Sequence, residues 1–256
     1  MGGAQTWFVW YELMTSDTAA AKAFYSNVAG WNTEDLPMPG MTYTLLRVGE
    51  SQVGGLMPMP SEACAAGMRP CWVGYIAVDD VDTAAAKAQR LGGKIIGAPT
   101  DIPNVGRFAV VTDSLGAAFN LFKPNQTGQR APVSNDTGQI GWHELHTTDW
   151  PKAFEFYAEM FGWLKGDTVD MGPMGSYQLV TCAGVPMGAM FNSPAARNAR
   201  FWLFYVNVGD IDAAAARVGA GGGKIMQAPM AVPGDRWVIQ AADPQGAGFA
   251  LLGSRK

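Results

Sequence analysis

The polar and apolar positions along the chain alternate between two periods. Phe8 to Met14 alternates with period two and is rich in aromatic residues, which predicts a strand. Asp17 is a good helix N-cap. Behind it Ala20, Phe24 and Val28 fall at helical spacing and Gly30 supplies a stop, so a helix is expected to about Val28. Two short strands are then expected at Tyr43–Val48 and Val53–Met57, around the Gly49-Glu50 turn. The same cycle then repeats: a strand at Trp72–Val78, a helix from about Val81 to Leu91, and strands near Lys94–Ile96, Phe108–Thr112 and Ala118–Phe122.

The cycle is also duplicated at long range. Trp10-Tyr11-Glu12-Leu13-Met14-Thr15-Ser16-Asp17 reads against Trp142-His143-Glu144-Leu145-His146-Thr147-Thr148-Asp149. Each is followed by a Phe-Tyr pair (Phe24-Tyr25, Phe156-Tyr157) and then by Gly-Trp (Gly30-Trp31, Gly162-Trp163). Ala-rich helices ending at Gly92-Gly93 and Gly222-Gly223 come next, and then strands marked by Asp113, Gly116 and Phe119 or by Asp243, Gly246 and Phe249. An offset that stays at about 130 residues throughout is the signature of a tandem repeat. The predicted organisation is α+β, with domains at 1–124 and 139–256 joined by a linker at 125–138 that is polar and rich in Pro, Gly and Asn. Each domain holds two β-α-β-β-β modules, four in all. A pair of such modules is expected to form a cupped half-barrel able to enclose a small molecule.

Composition narrows the function. A net charge of −4 with scattered Lys and Arg gives no reason to expect nucleic acid or an anionic membrane as partner. No apolar stretch approaches the roughly 20 residues of a membrane span, and the N-terminus lacks a signal-peptide pattern. Met1-Gly2 with Thr6 matches a myristoylation pattern only formally, since no polybasic patch accompanies it. Cys64, Cys71 and Cys182 are odd in number and lack CxxC spacing, as expected of thiols in a reducing compartment. A cytoplasmic protein, monomer or homodimer, with a small-molecule ligand is expected. Phosphate loops, Rossmann fingerprints, GxSxG elbows and cysteine nucleophiles with a partner histidine are absent from the sequence.

The repeated strand, Phe-Tyr helix, Gly-Trp stop, Gly-Gly helix end and Asp-x-x-Gly-x-x-Phe strand together resemble the vicinal oxygen chelate superfamily. That group includes glyoxalase I, bleomycin-resistance proteins, extradiol dioxygenases and methylmalonyl-CoA epimerase. The closest resemblance is to its tandem two-domain branch named after a secreted mycobacterial antigen. The resemblance implies the cupped fold and places where metal enzymes of the group carry His and Glu. Here those places hold Trp10 and Trp142, Val73 and Leu203, Asn120 and Ala250, with Gly54–Met57 and Gly188–Phe191 on the last strand of each first module. Only Asn120 is even a weak cation ligand. No cofactor is therefore expected. The alternative is a lyase, isomerase or dioxygenase using zinc, nickel or iron.

Glu12 and Glu144 are the leading candidates for chemistry. They alternate onto the face of Trp10 and Trp142, which the resemblance turns into the cup, and a carboxylate among aromatic rings is costly unless it is paired or protonated. Each is read as a general base or ligand anchor, or else as half of a structural ion pair. Arg107 and Arg236, each opening a penultimate strand, would pair with those carboxylates or grip an anionic ligand group. His143 and His146 are the only histidines and alternate onto opposite faces. His146 shares the face of Glu144, so a metal at that place would be confined to the second copy, because the first has Met14 there. Tyr75, Tyr205 and Asn120 complete the expected ligand-binding set within an unusual content of 9 Trp, 12 Phe, 7 Tyr and 14 Met.

Overall fold

The computed structural model describes residues 6–65, 67–125, 133–197 and 199–255. Half of the expected linker, residues 126–132, and the Met1-Gly2 pair lie outside the described residues. Four β-α-β-β-β modules follow one another. The first comprises β1 (Phe8–Thr15), α1 (Thr18–Ala29), β2 (Asn32–Met38), β3 (Met41–Val48) and β4 (Ser51–Pro58). After the short α2 (Ser61–Ala65), the second comprises β5 (Cys71–Ala77), α3 (Val81–Arg90), β6 (Ile95–Ile102), β7 (Gly106–Thr112) and β8 (Ala118–Pro124). The third has β9 (Ile140–Thr147), α4 (Trp150–Phe161), β10 (Leu164–Asp170), β11 (Ser176–Cys182) and β12 (Val185–Asn192). The fourth has β13 (Phe201–Asp210), α5 (Ile211–Ala220), β14 (Lys224–Val232), β15 (Arg236–Ala242) and β16 (Gly248–Ser254). Two eight-stranded sheets result, ordered β2-β3-β4-β1-β5-β8-β7-β6 and β10-β11-β12-β9-β13-β16-β15-β14.

Local chemistry accounts for the boundaries. Asp17 and Asp149 each accept a backbone N–H three residues on, from Ala20 and Lys152. The matching glycines Gly30 and Gly162 end α1 and α4 in the left-handed region at φ of 74° and 71°, where a Cβ would be strained. Two strands were not anticipated, β2 and β10. Asn32–Met38 and Leu164–Asp170 are almost entirely exposed and carry Pro or charged residues, so they show no apolar period. They are sheet edges held by backbone pairing to β3 and β11 rather than by burial. Strand β6 likewise runs on through Pro99 beyond the expected end at Ile96.

Compact packing cuts across the two sequence copies. One unit gathers the second module, from Val73, with the third, His143–Trp202. The other gathers the first, Trp10–Trp72, with the fourth, from Leu203. The repeated motifs explain the pairing inside each unit. Asp113 Oδ1 accepts the backbone N–H groups of Leu115, Gly116 and Ala117, which fixes the turn before β8, while Asp113 Oδ2 accepts the Tyr157 hydroxyl at 3.3 Å. That hydroxyl accepts in turn from Trp202 Nε1 at 2.8 Å, and the Tyr157 ring stacks on Trp163 at 5.2 Å. The second unit repeats the arrangement with Asp243, Tyr25, Trp72 and Trp31 at 3.1, 2.9 and 5.6 Å. The Phe-Tyr helix and the Asp-x-x-Gly turn thus form a buried latch. Burial raises the carboxyl pKa of both Asp113 and Asp243, and raises both tyrosine hydroxyls well above their usual value.

Candidate functional site

The first strand of each copy carries the candidate carboxylate, and both carboxylates are buried: Glu12 is 8% exposed and Glu144 5%. In the third module Glu144 is gripped by its neighbours on the same face. Its Oε2 accepts the Tyr177 hydroxyl at 2.8 Å, and its Oε1 lies 2.7 Å from His146 Nε2. His146 Nδ1 lies 2.9 Å from Ser193 Oγ, which also accepts the N–H of Ala195. Ser193, His146, Glu144 and Tyr177 therefore form one continuous hydrogen-bonded chain. Aromatic rings wall it: Phe201 stacks on His146 at 4.5 Å and Phe191 meets it edge-on at 4.8 Å.

Strand register explains the convergence. Glu144 and His146 are two residues apart on β9, so they share a face, and β9 pairs in parallel with β12 so that Phe191 lies opposite His146. Ser193 follows β12, its N–H bonded to the Thr147 carbonyl. His143 points the other way. Its Nδ1 faces the Met187 carbonyl at 2.6 Å, its ring stacks on Phe8 at 4.6 Å, and burial pushes its pKa down to about 4.

The first module has the same frame with different contents. Tyr43 donates to Glu12 Oε2 at 3.0 Å and accepts from Trp10 Nε1 at 3.0 Å. Glu12 lies opposite Gly55, where a Cβ would overlap the Tyr43 hydroxyl. Ala189 stands opposite Glu144 at the matching place. The Met59 N–H bonds to the Thr15 carbonyl as that of Ser193 does to Thr147, so Met14 and Met59 occupy the places of His146 and Ser193. Sequence reasoning missed Ser193 and Tyr177's tie to Glu144. Both depend on register between strands some thirty to fifty residues apart, which no local pattern records.

The other expected site residues are dispersed. Trp10 and Trp142 are half-buried and Tyr205 is buried, with its hydroxyl 3.0 Å from Gln240 Nε2. Tyr75 is buried beside Phe108 and Phe122, with Asn120 opposite it across the β5–β8 pair. The arginines do not occupy matching places. Val110 pairs with Asn120 as Gln240 pairs with Ala250, which aligns Arg107 with Trp237 and Arg236 with Gly106. A one-residue offset on a strand reverses the face. Arg107 accordingly binds Asp82 and Asp101 at 2.7 and 2.9 Å on an exposed surface, rather than a first-strand carboxylate. In the fourth module Arg255 makes the corresponding bond, to Asp212, at 2.7 Å while lying over Trp237. Arg236 donates to Asn207 Oδ1 at 3.0 Å.

The donors do not fit a resident divalent cation of the kind the resemblance implies. Among the described residues no group of three His, Cys, Asp or Glu side chains converges. Glu144 and His146 are two suitable donors, but both ring nitrogens of His146 already face protein oxygens.

Comparison with known proteins adds the family context. The sequence model described as the Glyoxalase/Bleomycin resistance protein/Dioxygenase superfamily matches residues 7–121 and 139–251. CFP32 of Mycobacterium tuberculosis, whose name carries a provisional assignment as a glyoxylase, is 34% identical over 95% of this chain and 93% of its own. The anthracycline biosynthesis protein DauV of Streptomyces sp. strain C5 is 29% identical over 96% and 93%. Among solved structures, the Mn(II)-bound glyoxalase of Novosphingobium aromaticivorans superposes with a TM-score of 0.64 at 17% identity, covering 99% of this chain and 83% of that one. A homoprotocatechuate 2,3-dioxygenase variant from B. fuscum gives 0.67 at 17%, covering 99% and 72%.

Proposed function

The chain belongs to the Glyoxalase/Bleomycin resistance protein/Dioxygenase superfamily, and from that premise we propose that it binds a small, largely apolar or aromatic molecule in each copy without a resident metal. The observation that carries this reading is the Glu144 face. A carboxylate is kept in a buried aromatic wall, held in one orientation by Tyr177 and His146. Holding a polar acceptor there costs solvation free energy that a ligand donor would recover. Glu12 and Tyr43 play the same part in the first copy. The name of DauV, which ties it to anthracycline biosynthesis, supports a planar aromatic ligand. The expected domain limits of 1–124 and 139–256 belong to this proposal, each domain having its own ligand face.

Calorimetric titration with planar aromatic probes tests the reading. Binding is expected in the purified, chelator-treated protein, weakened about tenfold by Glu144→Gln, which keeps the shape and removes the charge. Loss of all binding after chelation would refute it. One observation favours a second reading, a metal-dependent lyase, isomerase or dioxygenase: the second copy does bring a histidine and a carboxylate together at 2.7 Å. Stoichiometric zinc, nickel or iron in elemental analysis, lost in His146→Met, would establish that alternative.

A further inference from the structure

The second module and the fourth carry the same row of three neighbouring positions across their sheets. In the fourth it reads Tyr205, Ala250 and Gln240, and the row is closed by its own hydrogen bond, Gln240 Nε2 to the Tyr205 hydroxyl at 3.0 Å. In the second it reads Tyr75, Asn120 and Val110. The amide has moved from the outer strand to the middle one, and a valine stands where its twin has glutamine. Asn120 is 3% exposed, and its Oδ1 is buried without a hydrogen-bond partner among the described residues. A buried amide oxygen left unmatched is unfavourable, and native proteins rarely retain one without use.

The surroundings define what would fill the gap. Phe122 lies two residues from Asn120 on β8, and so on the same face, and its register partner is Phe108. The Tyr75 ring sits 5.8 Å from the Phe122 centroid and 6.3 Å from that of Phe108. An aromatic wall with one acceptor set into it matches a flat ring carrying a donor at its edge. We infer that Asn120 Oδ1 is a ligand-recognition group of the second module, accepting a hydrogen bond from a hydroxyl or N–H on an aromatic ligand. The fourth module, whose row is already closed, lacks this preference. The inference rests on the aromatic-ligand reading above and sharpens it to hydroxylated or amino aromatics for the first copy.

The test uses two probes, 2-naphthol and 2-methoxynaphthalene, in the second of which a methyl group replaces the donor hydrogen. The readout is the Asn120 side-chain amide resonance in 15N–1H spectra, assigned by its loss in Asn120→Ala. That variant installs the residue the fourth module tolerates at the matching place, Ala250. 2-Naphthol is expected to shift the resonance with an affinity about tenfold above that of 2-methoxynaphthalene. Val110→Gln, which imports the fourth module's glutamine, is expected to reduce that preference at least threefold. If 2-naphthol saturates the protein while the Asn120 resonance stays still, or the preference survives in Asn120→Ala, this inference falls and the aromatic-ligand reading stands. If neither probe perturbs any resonance, both fall together.

Discussion

The two first modules are one design carrying different contents. Both place a buried glutamate on the first strand and a tyrosine hydroxyl on the third to hold it, at 3.0 Å in Glu12–Tyr43 and 2.8 Å in Glu144–Tyr177. Beyond that point they part. The first copy has half-buried Met14 and Met59 at the two places where the second has the hydrogen-bonded His146 and Ser193. Both glutamates survive that change of neighbours, and what they share is the tyrosine. The histidine–serine pair is an addition that distinguishes the second copy.

The largest expected effect separates the copies by acid. His143 of the second copy stands where the first has Tyr11, and its pKa is depressed by burial to about 4 from an ordinary 6.5. The unfolded chain takes up a proton at that ring below pH 6.5, whereas the folded chain does so only near 4. Stability from this group is therefore fully present above pH 6.5 and is lost as pH falls through that window. The loss is about 3 kcal/mol at the shift of 1.36 kcal/mol per pKa unit. Denaturant unfolding at pH 7 and pH 4.5 measures it. His143→Tyr, copying Tyr11, is expected to flatten the slope over that range. An unchanged slope would place the acid sensitivity elsewhere.

Exchanging the distinguishing pair comes next. His146→Met leaves Glu144 Oε1 and Ser193 without their partner inside a buried wall, which is expected to cost about 2–3 kcal/mol. Adding Ser193→Met, to reproduce the first copy's Met14 and Met59, is expected to recover part of that. Neighbours in one network are not additive, so the double-mutant cycle has a coupling of about 1 kcal/mol. Additive losses would mean that the serine and histidine do not act as a unit.

The duplication and the four-module plan were legible because they are written in local patterns: Asp caps, Gly stops and the Phe-Tyr and Asp-x-x-Gly pairs recur at fixed spacing. The shared face of Glu144 and His146 was legible too, since alternation on a strand assigns a face from sequence alone. Strands β2 and β10 were not, because edge strands are stabilised by backbone pairing, which leaves no mark on side-chain polarity. Arg107 and Arg236 misled for a related reason. Turns absorb single-residue differences between copies, and on a strand one residue exchanges an inner face for an outer one. Ser193 and Met59 sit beyond strand ends, where only the parallel register with the first strand equates them.

The smallest effect tests where the copies should not differ. Tyr25 and Tyr157 each bridge a tryptophan indole N–H and a turn aspartate, at 2.9 and 3.1 Å for Tyr25 and 2.8 and 3.3 Å for Tyr157. Removing either hydroxyl by Tyr→Phe leaves an indole donor, buried in Trp202 and part-buried in Trp72, and a buried carboxylate oxygen each short of one partner, an expected cost of about 1–2 kcal/mol. Because burial already raises the pKa of Asp113 and Asp243, the lost donor is expected to raise both further. The added destabilisation is least in acid and grows as pH rises through the carboxyl's folded-state pKa, itself already above the ordinary value. Tyr25→Phe and Tyr157→Phe should agree within about 0.5 kcal/mol, the scatter ordinary for independent sites. Agreement would place the divergence of the copies at the Met14–Met59 and His146–Ser193 positions. A gap beyond 1 kcal/mol would show that it reaches into the latches and that the two units are not equivalent scaffolds.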